Sequence, residues 1–71
     1  MDAKEKRAAL GIAVRRRREE QGLSQQRLAL MMGSSKSHIW RIETGRVSVG
    51  IDDLIRIADA LDARVGDFIS F

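Results

Sequence analysis

The sequence predicts one small all-α domain of five helices. Its 71 residues contain no proline, and arginine, alanine, isoleucine and leucine are among its commonest residues. β-branched residues are few and scattered, and no alternating apolar run reaches the length of a strand. A chain of this length forms a single domain, residues 1–71, whose core contributes only about 3–5 kcal/mol of net stability.

The first predicted helix runs to about Gln21. Asp2 is a candidate N-cap, and Gly22 supplies the residue that ends the helix. Arg17 falls on the inward side, so we expect its aliphatic stem to pack and its charged head to reach solvent. The inward apolar positions are Leu10, Ala13 and Val14.

The second and third predicted helices lie between Gly22 and Gly45. Ser24 has a good N-cap side chain, and Gly33 permits the positive φ at which the second helix ends. Ser34 or Ser35 caps the third helix, which runs to about Thr44. The apolar stripe of the second helix is Leu28, Ala29, Met31 and Met32.

The third predicted helix buries little of itself. Ile39 and Ile42 form its only clear inward pair. Its other positions are polar, basic or aromatic, so this face is available to a partner. The outward residues are Lys36, Ser37, His38, Trp40 and Arg41. A helix, a tight glycine turn and a basic second helix are typical of a helix-turn-helix.

The fourth predicted helix has Asp52 and Asp53 in its first turn, where they complement the helix dipole. Its inward stripe follows the i, i+3, i+4, i+7 spacing and comprises Leu54, Ile57, Ala58 and Leu61. The segment from Val65 to Ser70 predicts a short fifth helix. We expect Phe68 to fill the core.

Charge is unevenly placed along the chain. Residues 1–46 carry a net charge of +6 and residues 47–71 carry −3, within a total of +3. A basic front suits a domain that meets phosphate. With no cysteine and one histidine, a thiolate or zinc site and a catalytic constellation are not expected. We also expect no cofactor, no small-molecule ligand, no membrane span or signal peptide, and a cytoplasmic location.

The pattern GLSQ…LA…G…I..IE.G, in one register, resembles the DNA-binding domains of phage lambda repressor and Cro, the Xre-type helix-turn-helix family. The resemblance covers about residues 10–70. It implies a compact five-helix lambda-repressor-like domain with the helix-turn-helix at helices 2 and 3. The third helix would then enter the major groove of double-stranded DNA.

The resemblance also implies roles for individual residues. Arg18 and Glu43 would form a structural ion pair between the first and third helices. Base contacts would come from Lys36, Ser37 and Arg41. Independently of the resemblance, the free N–H groups at the start of the second helix and the neighbouring polar and basic side chains predict phosphate contacts from Gln25, Thr44, Arg46, Arg15 and His38. His38 could equally reach a base edge or face solvent without a contact. Trp40 either donates its indole N–H to a phosphate or partly covers the core.

Two apolar residues near the C-terminus, Ile69 and Phe71, have little to cover them once Phe68 fills the core. The last helix of such small domains commonly meets its two-fold mate, so we expect a homodimer contact from Ile69 and Phe71, together with Val65 or Val47. A frayed chain end is the alternative for Phe71.

The function implied is a sequence-specific DNA-binding transcriptional regulator, acting as a homodimer on a near-palindromic operator. Phage regulators and restriction–modification controllers include stand-alone domains of this size. The alternative is an antitoxin or adaptor whose acidic C-terminal half binds a protein partner.

Overall fold

The computed structural model describes residues 1–71 and contains four α-helices and no strand. The helices are α1 (Ala3–Glu20), α2 (Gln25–Met32), α3 (Lys36–Glu43) and α4 (Ile51–Ala60). The all-α class is therefore confirmed. None of the helices combines the length and the apolar character that a membrane crossing requires.

The prediction of a fifth helix is wrong, because the segment after α4 forms a single 3-10 turn, Val65–Asp67. The Asp67 carboxylate accepts a hydrogen bond from the Arg64 N–H at 2.9 Å. The Phe68 N–H donates to the Val65 carbonyl at 3.0 Å and closes the turn. Gly66 also disfavours a longer helix. Phe68 is 2% exposed and fills the core as predicted.

Side-chain caps set where the first three helices begin. Asp2, Ser24 and Ser35 each accept a hydrogen bond from the backbone N–H three residues later, at 2.8, 3.0 and 3.1 Å. Gly33 ends α2 at φ 67°, in the left-handed region that glycine adopts without strain. The Ser34 N–H then donates to the Ala29 carbonyl at 2.8 Å. The turn between α2 and α3 is therefore fixed by local chemistry.

The core forms where α1 packs on α3, and where α2 packs on both α3 and α4. Met31 is 47% exposed, so its predicted place in the inward stripe of α2 is wrong. In so short a helix, Leu28 and Ala29 already occupy the contact with the other helices. The buried apolar residues are Leu10, Val14, Leu28, Ala29, Ile39, Ile42, Leu54, Ile57, Ala58, Leu61 and Phe68.

Helices α1 and α3 approach each other closely at Gly11. A Cβ atom added at this residue would lie 2.5 Å from the Ile42 carbonyl oxygen and 2.6 Å from that of Glu43. Only a residue without a side chain fits there. The backbone of α1 therefore serves as the surface on which the C-terminal half of α3 rests.

Arg17 does not extend its head freely into solvent as the sequence predicted. Its Nε donates to the Leu61 carbonyl at 3.0 Å, and its Nη2 donates to the Asp62 carbonyl at 2.7 Å. The last carbonyls of a helix lack intrahelical partners and carry partial negative charge. Arg17 supplies both the donors and the positive charge at the end of α4.

Candidate nucleic-acid interface

Helix α3 divides into a buried side and an exposed side. Ile39 and Ile42 are each 1% exposed and face the core. Lys36, Ser37 and Arg41 are all exposed on the other side. The basic and hydroxyl groups of α3 are therefore available to a partner while the apolar pair holds the helix in place.

The end of α3 is tied to α1 by a bidentate ion pair. Arg18 Nε donates to Glu43 Oε2 at 2.7 Å, and Arg18 Nη2 donates to Glu43 Oε1 at 3.0 Å. The two residues are only 8% and 6% exposed. The third guanidinium nitrogen, Nη1, donates to the Leu23 carbonyl at 2.6 Å. Arg18 thus joins α1, the α1–α2 connection and α3 through one side chain.

The Glu43 carboxylate also receives a hydrogen bond from Gln25 Nε2 at 3.1 Å. This contact connects the first residue of α2 with the last residue of α3. The Gln25 amide has two N–H donors, so one remains for another acceptor. The predicted phosphate role of Gln25 is therefore compatible with its hydrogen bond to Glu43.

The hydrogen bond to Glu43 raises the pKa of Arg18, and burial opposes that rise. A cation whose pKa is higher in the folded state than in the unfolded state stabilises the fold at any pH below its unfolded-state pKa. This stabilisation is lost as the pH rises through the folded-state pKa. Arginine is already protonated throughout the neutral range. The rise in the Arg18 pKa therefore introduces no pH dependence of stability near neutrality.

The three predicted base-contacting residues come together on one surface. A cleft of about 350 Å³ is lined by Gln25, Lys36, Ser37, Trp40 and Arg41. A second cleft, which shares Gln25, Lys36 and Trp40 with the first, extends toward α1 and is also lined by Arg15, Arg18, Ser24 and Gln26. Two of the predicted DNA-contacting residues, Gln25 and Lys36, therefore line a cleft together with Arg15 of α1.

Thr44 and Arg15, two more of the predicted phosphate contacts, also have intramolecular partners. The Thr44 hydroxyl donates to the Trp40 carbonyl at 2.7 Å, at the end of α3. The Arg15 Nε lies 3.5 Å from Glu19 Oε2, in a pair whose side chains are 64% and 56% exposed. Such an exposed pair is weak and leaves the Arg15 guanidinium accessible to a phosphate.

His38 faces α4. Its Nε2 lies 3.1 Å from Asp53 Oδ2, and the same carboxylate accepts from Arg56 Nη1 through Oδ1 at 3.2 Å. His38 is half-buried and lies outside both clefts. Its phosphate contact stays a prediction, with Asp53 as the competing partner.

Trp40 lies exposed between the two clefts, with 45% of its surface accessible. The guanidinium carbon of Arg46 is 4.9 Å from the centre of its ring. The sequence left the position of Trp40 open and gave no sign of this contact. Trp40 and Arg46 are six residues apart, and side chains at that spacing do not meet on a single helix. Their contact therefore depends on the turn that follows Glu43.

Apolar side chains are exposed at the C-terminus and on α4. Val65 is half-buried, whereas Ile69 and Phe71 are 39% and 50% exposed. Sequence reasoning missed Ile51 and Ile55, which are 61% and 45% exposed on α4. Their spacing of four residues, off the inward stripe, is the signal that could have identified them.

Comparison with known proteins agrees with this geometry. A model of the helix-turn-helix domain matches residues 9–67. The restriction-modification controller protein C.AhdI from Aeromonas hydrophila is 28% identical, with a TM-score of 0.90 over 96% of this chain and 99% of that chain. The clp gene regulator ClgR from Corynebacterium glutamicum is 32% identical, with a TM-score of 0.86 over 92% of this chain and 84% of that chain.

A curated relative is an uncharacterized HTH-type transcriptional regulator of Sinorhizobium fredii. It is 38% identical over 52 residues, which are 73% of this chain and 26% of the relative. The chain thus spans about a quarter of that relative's length. The domain match covers most of the residues from α1 to the 3-10 turn, including the α2–turn–α3 unit. The chain therefore belongs to the helix-turn-helix family of DNA-binding domains.

Proposed function

We propose that the chain is a sequence-specific transcriptional regulator that binds double-stranded DNA as a homodimer. The observation that carries the proposal is the division of α3 into two sides. Ile39 and Ile42 hold it against the core, and its N-terminal half exposes polar and basic groups. The base-contacting residues would be Lys36, Ser37 and Arg41, whose lysine and arginine can donate to guanine O6 and N7.

Phosphate contacts would flank the base-contacting surface. The first turn of α2 has backbone N–H groups without intrahelical partners. The side-chain amide of Gln25, which keeps one N–H free, belongs to the same turn. Arg15 and Arg46 supply positive charge on either side. Thr44 and His38 would contribute if their hydroxyl and imidazole exchange an internal partner for phosphate.

Arg41→Ala is expected to weaken binding to the preferred operator by about 1–3 kcal/mol and to relax the choice at one base position. The reason is that a bidentate arginine–guanine contact distinguishes that base from the other three. Binding-site selection with the variant, followed by titration against single-base operator variants, measures both effects. Arg27→Ala is the matched control, because Arg27 is exposed on α2 but lies outside both clefts. An equal loss on every sequence would instead make Arg41 a phosphate contact.

The proposed homodimer uses the apolar C-terminal surface, comprising Val65, Ile69 and Phe71. The α3 helices of the two subunits, which are the recognition helices, would lie ~34 Å apart and read the two halves of a near-palindromic operator. The likeness to the controller protein C.AhdI supports the restriction–modification controller type. A cytoplasmic location follows from this role.

Phe71→Asp is expected to convert a dimer into a monomer, since it places a charge in an apolar contact. Sedimentation equilibrium at micromolar concentration measures the mass. Ile12→Asp is the control, because Ile12 is 55% exposed on α1 and lies outside the proposed contact. A monomeric wild-type chain would refute the dimer. Dissociation by Ile55→Asp but not by Phe71→Asp would move the contact to α4.

Selection of binding sites from random duplex DNA tests the proposed function directly. Enrichment of a two-fold-symmetric site at physiological salt is the expected result, and the spacing of its half-sites gives the separation of the recognition helices. Uniform, salt-sensitive binding without enrichment would overturn sequence specificity. The chain would then be a charged interaction module, and the search would turn to a protein partner.

A further inference from the structure

Trp40 and Arg46 form a pair whose backbone is fixed at both ends. Trp40 belongs to α3, and the Arg46 N–H donates to the Arg41 carbonyl at 2.9 Å just beyond the helix. Gly45 precedes Arg46 at φ 71°, and an added Cβ there would lie 2.9 Å from Ala8 Cα. The turn that carries Arg46 is thus pressed against α1. The Arg46 side chain then lies over the indole ring of Trp40.

The Arg46 guanidinium lies over the indole ring of Trp40, with its central carbon 4.9 Å from the ring centre. A cation over a ring is attracted by the negative face of the π system, and the N–H groups project outward in the guanidinium plane. Arg46 takes part in none of the salt bridges of the chain. Its guanidinium N–H groups therefore have no acidic partner within the protein and are available to a phosphate.

Trp40 is surrounded by cations rather than by acids. Its two clefts are lined by Lys36, Arg41 and Arg15, and the nearby Glu43 carboxylate is already neutralised by Arg18. Mutual repulsion would drive Arg46 away from these cations into solvent. The ring of Trp40 offsets that repulsion and keeps the charge next to the base-contacting surface.

We propose that Trp40 is a platform that holds the Arg46 guanidinium over its ring, so that the guanidinium N–H groups meet a phosphate of the bound DNA. This inference rests on the proposed function and adds to it a positioning residue for one phosphate contact. Trp40 acts through Arg46, because an ordered guanidinium loses less conformational freedom when it binds. The contribution is independent of base sequence, since phosphate contacts carry no direct sequence information.

A double-mutant cycle tests the platform, with a random-sequence duplex as the probe and the selected operator as a second probe. Trp40→Ala is expected to weaken binding about two- to fivefold, the range of an exposed cation–π pair. In an Arg46→Ala background the same change is expected to have no effect. Trp40→Phe is expected to retain most of the affinity, because its ring keeps the attractive face and loses only the indole N–H.

Two results would overturn the platform. Additive losses from Trp40→Ala and Arg46→Ala would show that the two side chains act separately. An equal loss in Trp40→Phe and Trp40→Ala would show that the indole N–H itself is the contact. Far-UV circular dichroism in urea verifies that every variant folds, which is expected because Trp40 is exposed. Because the random duplex needs no selected operator, the platform can be tested even if the selection of binding sites fails. A failed selection would refute the proposed function, whereas non-additive losses of affinity from Trp40→Ala and Arg46→Ala on the random duplex would still support the platform.

Discussion

The Arg18→Ala variant is expected to unfold at a much lower urea concentration than the wild-type chain. The loss in the free energy of unfolding should be about 3–5 kcal/mol, because removal of one partner leaves a buried charge without compensation. That loss is comparable to the whole net stability expected of a domain this small. Glu43 would then retain only the Gln25 hydrogen bond, and the Leu23 carbonyl would lose its donor.

Urea denaturation followed by circular dichroism and by Trp40 fluorescence measures this effect, since Trp40 is the only tryptophan and lies in α3. Arg15→Ala is the matched control. It removes the same charged group from the same helix, but Arg15 pairs with Glu19 in solvent, so the change should be within about 0.5 kcal/mol. If the two variants melt together, the buried pair is not what ties α3 to α1.

Gly11→Ala is expected to destabilise the fold by about 1–3 kcal/mol or more, although alanine normally favours a helix. The added Cβ would lie 2.5 Å from one backbone carbonyl oxygen of α3 and 2.6 Å from the next. Because backbone atoms cannot rotate away as a side chain can, α3 must move relative to α1. The same displacement should weaken DNA binding beyond the loss caused by unfolding.

Gly66→Ala separates this effect from a general effect of replacing glycine. An added Cβ at Gly66 has no neighbour within 4 Å, and its φ is not positive. We expect that variant to unfold within about 0.5 kcal/mol of wild type. Calorimetry or urea titration of both variants gives the difference. If Gly11→Ala were as stable as the wild-type chain, α1 and α3 could move apart to admit the added Cβ without lowering the free energy of unfolding.

Local chemistry explains why the ends of most helices could be predicted from the sequence. Asp2, Ser24 and Gly33 act on residues within one turn of themselves, so their capping roles need no knowledge of the fold. Arg17 could not be placed in this way. Its partners, the carbonyls of Leu61 and Asp62, lie more than 40 residues away and become neighbours only when α4 packs near α1.

The candidate site shows the same division. The outward positions Lys36 and Arg41 follow from helical spacing once the inward pair of α3 is recognised. The contacts of Trp40 with Arg46 and of His38 with Asp53 do not, because each crosses from α3 to a turn or to another helix. The segment after α4 departs from the prediction for a different, local reason. The bond from the Arg64 N–H to Asp67 closes a single turn where apolar spacing alone predicted a helix.

The separation of α3 into a buried apolar side and an exposed polar side has a consequence for how the proposed DNA sequence preference could change. Lys36, Ser37 and Arg41 are exposed and take no part in the buried core. Exchanges at such positions usually alter stability by no more than about 0.5 kcal/mol. The scaffold can therefore accept new combinations at the three proposed base-contacting positions without compensating changes elsewhere, so that duplicated copies could diverge toward different operators while keeping one fold.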